Sequence, residues 1–200
     1  MEREKILEIF KSTGALQHGH FRLTSGLHSS EYFQCAKVLQ YPQYNELLCG
    51  EIARHFFDWK VDLVVAPAIG GIMVGQEVAR QIRVRGIFAE REDKTMSLRR
   101  GFEVKQGERV LVCEDVVTTG GSVQEVVDLV KAAGGVVVGV GSIVDRSRSP
   151  VNFGSQLFSL LKMEVPVYEP DSCPLCKEGT PIVKPGSRKV ADSPEAGGKR

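Results

Sequence analysis

Hydrophobic and polar positions along this chain follow two different periods. In residues 2–11, Ile6, Leu7 and Phe10 fall on one side of a 3.6-residue repeat, which predicts a helix. A second amphipathic helix fits the segment Tyr44–Phe57. Short apolar runs typical of buried strands then occur at Val61–Val65, Ile87–Ala89, Val110–Cys113 and Val136–Val144.

Helical stretches separate these apolar runs, one of them reaching about Arg83 and another covering Val123–Ala133. Strands that alternate with helices at this spacing predict an α/β fold with a parallel sheet of the doubly wound type. The segment His20–Phe33 is polar and rich in turn residues, so we expect strands joined by a turn at Ser25 and Gly26.

Charge and cysteine content argue against several classes of protein. The 200 residues include 26 Lys and Arg and 25 Asp and Glu, a formal net charge of +1, which disfavours a nucleic-acid coat protein or a polybasic membrane binder. The N-terminus is charged, and the longest nearly unbroken apolar run, Val136–Val144, is far shorter than the ~20 residues that span a bilayer. Five cysteines without framework spacing predict reduced thiols, so we expect a soluble cytoplasmic protein with no membrane or nucleic-acid partner.

The most informative segment is 110–122, where an apolar strand leads into two acidic residues and then into Thr, Gly and Ser. We expect the strand to end at Glu114 and Asp115. The helix should begin at the following loop, because Ser122 and Glu125 have the spacing of a capping box. Backbone N–H groups at a helix N-terminus bind phosphate, and glycines let the backbone wrap an anion closely. The segment therefore predicts a phosphomonoester site, with the two acids available for ribose hydroxyls or a hydrated Mg²⁺.

An acidic strand end followed by a glycine-rich turn without a ligand is the alternative interpretation of this segment. Two carboxylates followed by a run of Thr, Gly and Ser favour the ligand site. The Gly-Lys-Ser/Thr ending of a P-loop is missing, and so is Gly-x-Gly-x-x-Gly, which disfavours an NTPase and a dinucleotide-dependent dehydrogenase. The sequence also has no Gly-x-Ser-x-Gly or His-Glu-x-x-His pattern, which disfavours a hydrolase and a catalytic zinc site.

Residues 110–122 resemble the signature of the type I phosphoribosyltransferases, which bind 5-phosphoribosyl 1-diphosphate (PRPP). The N-terminal half looks like the hood of the orotate-specific members, and the likeness runs from about Leu7 to Val183. The stretches that carry it outside the signature are 14–29, 32–34, 65–71 and 88–91. The resemblance implies a type I phosphoribosyltransferase-like α/β fold, a parallel sheet flanked by helices with a small hood.

The likeness also implies a domain organisation. We expect one phosphoribosyltransferase domain at residues 1–183, with a core at about 46–149 and a hood formed mainly by 1–45 and 150–183. Residues 184–200 are rich in Pro, Gly, Lys and Ser, and we expect them to form a disordered tail.

By this resemblance, the activity is transfer of the phosphoribosyl group from PRPP to orotate, giving orotidine 5′-phosphate and diphosphate for pyrimidine (UMP) biosynthesis. PRPP would be bound by Glu114, Asp115, Val116, Val117, Thr118, Thr119, Gly120, Gly121 and Ser122. The diphosphate loop would consist of Ala68, Ile69, Gly70 and Gly71. Orotate would be bound by Thr118, Arg146, Tyr32 and Phe33.

Two of these assignments have plain structural alternatives. Residues 68–71 also suit a turn of small residues that lets a helix pack closely on a sheet. Arg146 also suits a surface arginine at a strand end. Without the family likeness, the surface arginine would be the favoured interpretation of Arg146. The chemistry is nevertheless compatible with the implied role, because a planar guanidinium matches a carboxylate with two hydrogen bonds, which Lys cannot do.

The mostly charged segment 90–100 predicts an exposed loop or a β-arm, and it resembles the mobile catalytic loop of the family. Breaking the bond from C1 to diphosphate builds positive charge on the ribose and negative charge on the leaving group. A cation delivered to the diphosphate therefore stabilises the transition state, and Lys94 and Arg91 are the candidates, with Asp115 as the third catalytic residue. A solvated run of charges is the alternative.

The family likeness implies a homodimer, because this loop completes the site of the neighbouring subunit in the family. It also implies Mg²⁺ as cofactor, held through the diphosphate and waters with no dedicated protein ligands.

Four positions depart from the commoner family pattern. Thr24 and Gly70 stand where many members have Lys, Glu90 stands where Arg is usual, and Met96 lies near a usual His. These departures concern the loop and the diphosphate contacts, where Arg99 and Arg100 are candidates to compensate.

Cys173-Pro-Leu-Cys176 has the spacing of a metal-binding knuckle, but no second pair of ligands follows it. We therefore favour two reduced thiols on a surface turn over a structural metal site.

Two other functions compete with the orotate-specific one. The first is a phosphoribosyltransferase for a purine base or xanthine, which the hood-like segment His20–Gln34 disfavours. The second is a non-catalytic regulator that senses PRPP and binds nucleic acid, which the net charge of +1 disfavours.

Overall fold

The computed structural model describes residues 1–23, 25–93 and 95–185. Within these ranges the chain forms two compact units. The large unit consists of residues 1–16 and 34–164, and the small unit is built from 17–33 and from the chain after 164. The small unit contains fewer residues than the hood expected from the sequence, because residues 3–12, 36–39 and 157–162 form helices and a strand of the large unit.

Helices and strands alternate through most of the large unit. The α-helices are α1 (Arg3–Ser12), α2 (Ala36–Leu39), α3 (Pro42–His55), α4 (Gly70–Ile82), α5 (Gly121–Ala132) and α6 (Pro174–Lys177). The strands are β1 (Leu16–Arg22), β2 (His28–Phe33), β3 (Leu63–Pro67), β4 (Arg85–Glu92), β5 (Thr95–Leu98), β6 (Arg109–Val117), β7 (Val136–Asp145), β8 (Leu157–Lys162) and β9 (Val167–Tyr168).

The large unit contains a six-stranded sheet in the order β5-β4-β3-β6-β7-β8. All neighbouring strands are parallel except β4 and β5, which form an antiparallel pair. The predicted doubly wound α/β sheet is therefore confirmed. The chain runs from β3 outward to β4 and then returns to β6 on the other side of β3, so the strand order reverses between β3 and β6. In open α/β sheets, ligands bind outside the carboxyl ends of the strands at such a reversal.

Apolar side chains fill both faces of this sheet. Every residue of β3 is buried, and the buried faces of α4 and α5 consist mainly of Val, together with Gly and Ala in α4. Burial of this kind contributes roughly 1.5–3 kcal/mol for each large apolar side chain. The core therefore holds the strand ends in fixed positions relative to one another.

The strand before the acidic pair is longer than the sequence analysis expected. β6 continues through Glu114 and Asp115 as far as Val117, because its register with β7 extends to the pair Val117–Asp145. The prediction of a capping box at Ser122 is wrong. α5 begins at Gly121 after Gly120, whose φ of 78° is left-handed, and no side chain caps the helix.

Residues 90–98 form a β-arm rather than an irregular loop. Glu90 pairs with Ser97 and Glu92 with Thr95 in the antiparallel ladder of β4 and β5. Met96 is 6% exposed and packs in the apolar core together with Ala89. Lys94 lies outside the described residues.

The small unit contains a three-stranded sheet in the order β1-β2-β9. The predicted strands of the segment His20–Phe33 are confirmed. Their turn contains Gly26 at a φ of 87°, and its N–H donates to the carbonyl of Leu23 at 2.9 Å. Phe21 forms an isolated parallel bridge with Val183.

The prediction that Cys173 lies on a surface turn is wrong, because its side chain is fully buried, whereas Cys176 is exposed. Thr24 and most of the predicted tail, residues 186–200, lie outside the described residues. No helix in the described ranges is both long enough and apolar enough to cross a membrane.

Candidate active site

Three turns come together at the carboxyl edge of the large sheet. β3 ends at Pro67, β6 at Val117 and β7 at Asp145, and the three strands are parallel neighbours. The backbone N–H of Arg146 donates to the carbonyl of Val117 at 2.7 Å, which joins the ends of β6 and β7. The residues that follow these strands therefore face one region, at the point where the strand order reverses.

The turn between β3 and α4 packs directly on the acidic pair. The N–H of Ala68 donates to the carbonyl of Ala89 at 2.7 Å, and the peptide bond between Ala68 and Ile69 is cis. A Cβ atom at Gly70 would lie 2.6 Å from Oδ2 of Asp115, a distance that real Cβ contacts essentially never show. In this arrangement a side chain at position 70 would therefore displace the Asp115 carboxylate.

Glu114 and Asp115 have different environments although they are adjacent. Glu114 is 8% exposed, and the N–H of Asp115 donates to its Oε1 at 3.0 Å. Asp115 is half-buried and accepts the N–H of Val116 at 2.8 Å. Burial raises the pKa of Glu114 well above its ordinary value, and the neighbouring Asp115 carboxylate raises it further. The pair therefore favours a state with fewer than two negative charges until a ligand supplies positive charge or hydrogen-bond donors.

The turn between β6 and α5 presents an uncapped helix N-terminus. The first N–H groups of a helix have no acceptor within the helix and carry partial positive charge. Thr118 and Thr119 are exposed, and the N–H of Gly121 is 3.5 Å from Oγ1 of Thr119, a long contact. Gly120 is buried, and a Cβ there would meet the ring of Phe153 at 3.0 Å. The turn can therefore donate several backbone and hydroxyl hydrogen bonds to a phosphate group.

An ion pair between the buried Asp145 and the exposed Lys162 fixes the segment that carries Arg146. Nζ of Lys162 donates to Oδ2 of Asp145 at 2.8 Å and to the hydroxyl of Ser147 at 2.8 Å. Burial raises the pKa of Asp145, but the hydrogen bonds from Lys162 and Ser147 outweigh this and hold it below its ordinary value. Arg146, between them, is half-buried. Lys162 could not be recognised from the sequence as a partner of Asp145, because only the register of β7 and β8 places the two residues opposite each other.

The cations of the β-arm form ion pairs within the large unit. Arg91 lies 2.8 Å from Oε1 of Glu125 on α5. Arg100 donates to both carboxylate oxygens of Glu90 at 3.0 and 3.1 Å, and its guanidinium lies 5.6 Å from the centre of the Phe88 ring. These exposed pairs are each worth at most about 1 kcal/mol, so they do not prevent the arm from moving.

The structure thus brings together most of the residues singled out in the sequence. Residues 68–71, 114–122 and Arg146 lie at one edge of the large sheet. The other two candidates, Tyr32 and Phe33, lie on β2 in the small unit. The ring of Tyr32 is 5.7 Å from that of Phe21, and Phe33 is 5% exposed.

Comparisons with known proteins agree with this geometry. Residues 43–153 match the model of the phosphoribosyl transferase domain. The orotate phosphoribosyltransferase of Caldanaerobacter subterraneus is 58% identical to this chain over 95% of the chain and 100% of that protein.

Solved structures give the same fold at lower identity. An orotate phosphoribosyltransferase from Aeropyrum pernix has a TM-score of 0.70 and 21% identity, over 79% of this chain and 93% of its own. An adenine phosphoribosyltransferase from Rhodothermus marinus has a TM-score of 0.65 and 19% identity, over 80% of this chain and 100% of its own. The fold is therefore shared by enzymes named for different bases.

Proposed function

Because this chain belongs to the orotate phosphoribosyltransferases, we propose that it transfers the phosphoribosyl group of PRPP to orotate in pyrimidine biosynthesis. In this reaction a ring nitrogen of orotate forms a bond to C1 of the ribose. The bond from C1 to the diphosphate oxygen breaks, its electron pair leaves with the diphosphate, and the proton on the orotate nitrogen is released to the diphosphate or to solvent. One observation carries the proposal: an uncapped helix N-terminus follows a pair of carboxylates at the reversal of strand order.

PRPP fits the two turns that meet the acidic pair. The hydroxyls of Thr118, Thr119 and Ser122, with the first N–H groups of α5, suit the 5′-phosphate. Glu114 and Asp115 suit the ribose hydroxyls, because carboxylate oxygens accept the hydrogen bonds that a diol donates. The diphosphate would then be bound by the turn at 68–71, where Gly70 lacks the side chain that would fill the space beside Asp115.

Orotate carries a carboxylate, which requires a cation. Arg146 follows β7, and the ion pair between Asp145 and Lys162 fixes the backbone on either side of it. A guanidinium held in this way binds a carboxylate with two parallel hydrogen bonds. We assign Thr118, Tyr32 and Phe33 as the remaining orotate contacts by family likeness.

A divalent cation suits the same edge of the sheet. Two adjacent carboxylates offer the oxygen ligands that Mg²⁺ prefers, and the raised pKa of Glu114 indicates that added positive charge would be favourable there. Mg²⁺ bound to the diphosphate and waters supplies charge neutralisation for the leaving group. Glu114 and Asp115 would hold it indirectly, through its waters.

The β-arm supplies the cations that act on the leaving group. In the sequence Lys94 comes between the residues of β4 and those of β5, and Arg91 belongs to β4. Positive charge beside the departing diphosphate stabilises the transition state more than the ground state. In a homodimer, the arm of one protomer would complete the site of its partner, and closure would exclude water that hydrolyses PRPP.

The test is an assay of base consumption by the purified protein with PRPP and Mg²⁺, offering orotate, adenine, hypoxanthine and xanthine separately. We expect consumption of orotate alone. Asp115→Asn and Lys94→Ala should lower kcat/KM for orotate at least ~100-fold and ~10-fold, about 2.7 and 1.4 kcal/mol. The matched controls Asp128→Asn and Lys105→Ala, both exposed positions, should change it less than about 2-fold.

Each arm of this assay can contradict one part of the proposal. Consumption of a purine base in place of orotate would contradict the substrate. A loss below ~10-fold for Lys94→Ala, with Asp115→Asn inactive, would remove the arm from the mechanism and leave the PRPP site in place.

A further inference from the structure

Four side chains with metal-binding atoms converge in the small unit. They are His20 on β1, His28 on β2, and Cys173 and Cys176 at the short helix α6. One ligand atom from each lies within 4.8 Å of the ligand atoms of the other three. In the described ranges of the chain, this is the one group of three or more His, Cys, Asp or Glu side chains with such an arrangement.

The distances among these atoms fit a tetrahedral zinc ion. Nε2 of His20 lies 3.0 Å from Nδ1 of His28, 3.6 Å from Sγ of Cys173 and 3.7 Å from Sγ of Cys176. Sγ of Cys176 lies 3.3 Å from Nδ1 of His28. Zinc bonds of about 2.0 Å to nitrogen and 2.3 Å to sulfur give tetrahedral edges of about 3.3 Å between nitrogens and about 3.5 Å between nitrogen and sulfur. These four distances therefore lie within about 0.3 Å of the expected edges.

A hydrogen bond outside the cluster fixes the ligand atom of His20. Nδ1 of His20 lies 2.8 Å from the carbonyl oxygen of Thr180, so it carries the proton and donates to that oxygen. Nε2 is then left with a lone pair that points into the cluster. Histidine ligands of zinc commonly donate their second N–H to a carbonyl or carboxylate in this way.

Hydrogen bonds alone do not account for the arrangement. Nδ1 of His28 and the two thiols all approach the single lone pair on Nε2 of His20, which can accept only one strong hydrogen bond. A cation at the centre would instead receive one lone pair from each of the four atoms. The cluster therefore has the geometry of four electron-pair donors around one metal ion.

Burial and charge fit the same interpretation. His20 is 2% exposed, His28 7% and Cys173 0%, whereas Cys176 is exposed and gives an ion a path from solvent. Zinc carries two positive charges, and two thiolates carry two negative ones. A Zn²⁺ ion with two thiolates and two neutral imidazoles is therefore uncharged overall, which lowers the cost of placing it in a mostly buried site.

We propose that His20, His28, Cys173 and Cys176 bind a structural zinc ion that joins β1 and β2 to the segment at α6. Neutral imidazole nitrogens and deprotonated thiols are the ligands, so binding releases the thiol protons to solvent. In the described part of the small unit, Phe21, Phe33 and Cys173 are the buried apolar side chains. A unit with so little apolar burial gains stability from a metal ion, as small metal-dependent domains do.

Metal content of the reduced full chain tests the proposal directly. Mass spectrometry should find about one zinc per chain in the wild type, and less than about 0.2 in Cys173→Ser, Cys176→Ser and His28→Gln. His18→Gln and Cys49→Ala are the matched controls. His18 lies on the same strand as His20 but is exposed, and Cys49 is a buried thiol of the large unit, so both should retain the zinc.

Cobalt binding tests the ligand set independently of activity. Co²⁺ added to the reduced, zinc-free chain should give the intense visible absorption of a tetrahedral site together with a thiolate-to-cobalt charge-transfer band. Both should be lost in Cys176→Ser. Because the large unit has its own apolar core, it should keep its fold in this variant, which circular dichroism checks.

Two results would overturn the proposal. One is a reduced wild-type chain that carries no zinc and gives no tetrahedral cobalt spectrum. The other is an unchanged metal content in both cysteine variants, which would place the ion elsewhere.

Discussion

The large unit surrounds its sheet with apolar side chains and keeps its charged groups at one edge, whereas the small unit places polar side chains at its centre. In the large unit, β3 is buried along its whole length, and the acidic pair lies where the strands end. In the small unit, His20, His28 and Ser29 are buried beside few apolar side chains. The larger core can offset the cost of burying part of an acidic pair, while the smaller one depends on its buried polar groups for stability.

Removal of the metal should give the largest difference between the two units. With a strong chelator present, amide hydrogen exchange of β1 and β2 should speed up at least ~100-fold, because their unit lacks a large apolar core. Exchange of β3, β6 and β7 should stay unchanged. A joint loss of protection in both units, or in neither, would contradict the comparison.

A single methyl group at the edge of the large sheet should have the next largest effect. In Gly70→Ala the new Cβ would lie 2.6 Å from the Asp115 carboxylate and displace it, so kcat/KM should fall ~100-fold, about 2.7 kcal/mol. Gly50→Ala is the matched control. Its Cβ would meet the flexible side chain of Gln81 at 3.0 Å, and activity should change less than about 2-fold. Equal activities in the two variants would show that Asp115 need not hold its position.

Neutralising the buried acid Glu114 should have the smallest effect of the three changes, and that effect should be on stability. Glu114→Gln should raise the free energy of unfolding by about 1 kcal/mol at pH 7. The pKa of Glu114 is raised in the folded state, so wild-type stability falls as pH rises from the unfolded-state value of about 4.3 through the folded-state value. The variant lacks this decline. Urea unfolding should therefore give equal free energies of unfolding for the wild type and the variant near pH 4. Glu103→Gln, at an exposed position, should show no difference at either pH.

If the free energy of unfolding of Glu114→Gln were higher than that of the wild type by the same amount at every pH, this interpretation would be contradicted. The variant would then be stabilised by packing rather than by the loss of a charge. Reduced affinity for PRPP in the same variant would confirm that the acid is retained for binding.

The fold and the turn between β6 and α5 could be predicted because their signals are local. Residues 110–122 contain the strand, both acids, the turn and the start of the helix in one continuous segment. The family inferred from that segment is confirmed by the relatives. The start of α5 was missed because a left-handed Gly120 replaces the side-chain cap that Ser122 indicated.

The zinc cluster could not be predicted because its signal is divided between distant parts of the chain. Cys173 and Cys176 show the spacing of a metal knuckle, but their partners precede them on two strands that only the fold brings together. The pairing of Asp145 with Lys162 was missed for the same reason, since it depends on the register of β7 and β8.

The separation of the cluster's two halves along the chain sets an order for biosynthesis. Cys173 follows His20 by 153 residues, and a ribosome adding ~5–20 residues per second needs roughly 8–30 s to cover that interval. Every strand of the large sheet is synthesised during this interval, so the large unit can fold before the cysteines are available to the histidines. Capture of the metal would then mark the moment at which the nascent chain has delivered its last ligand.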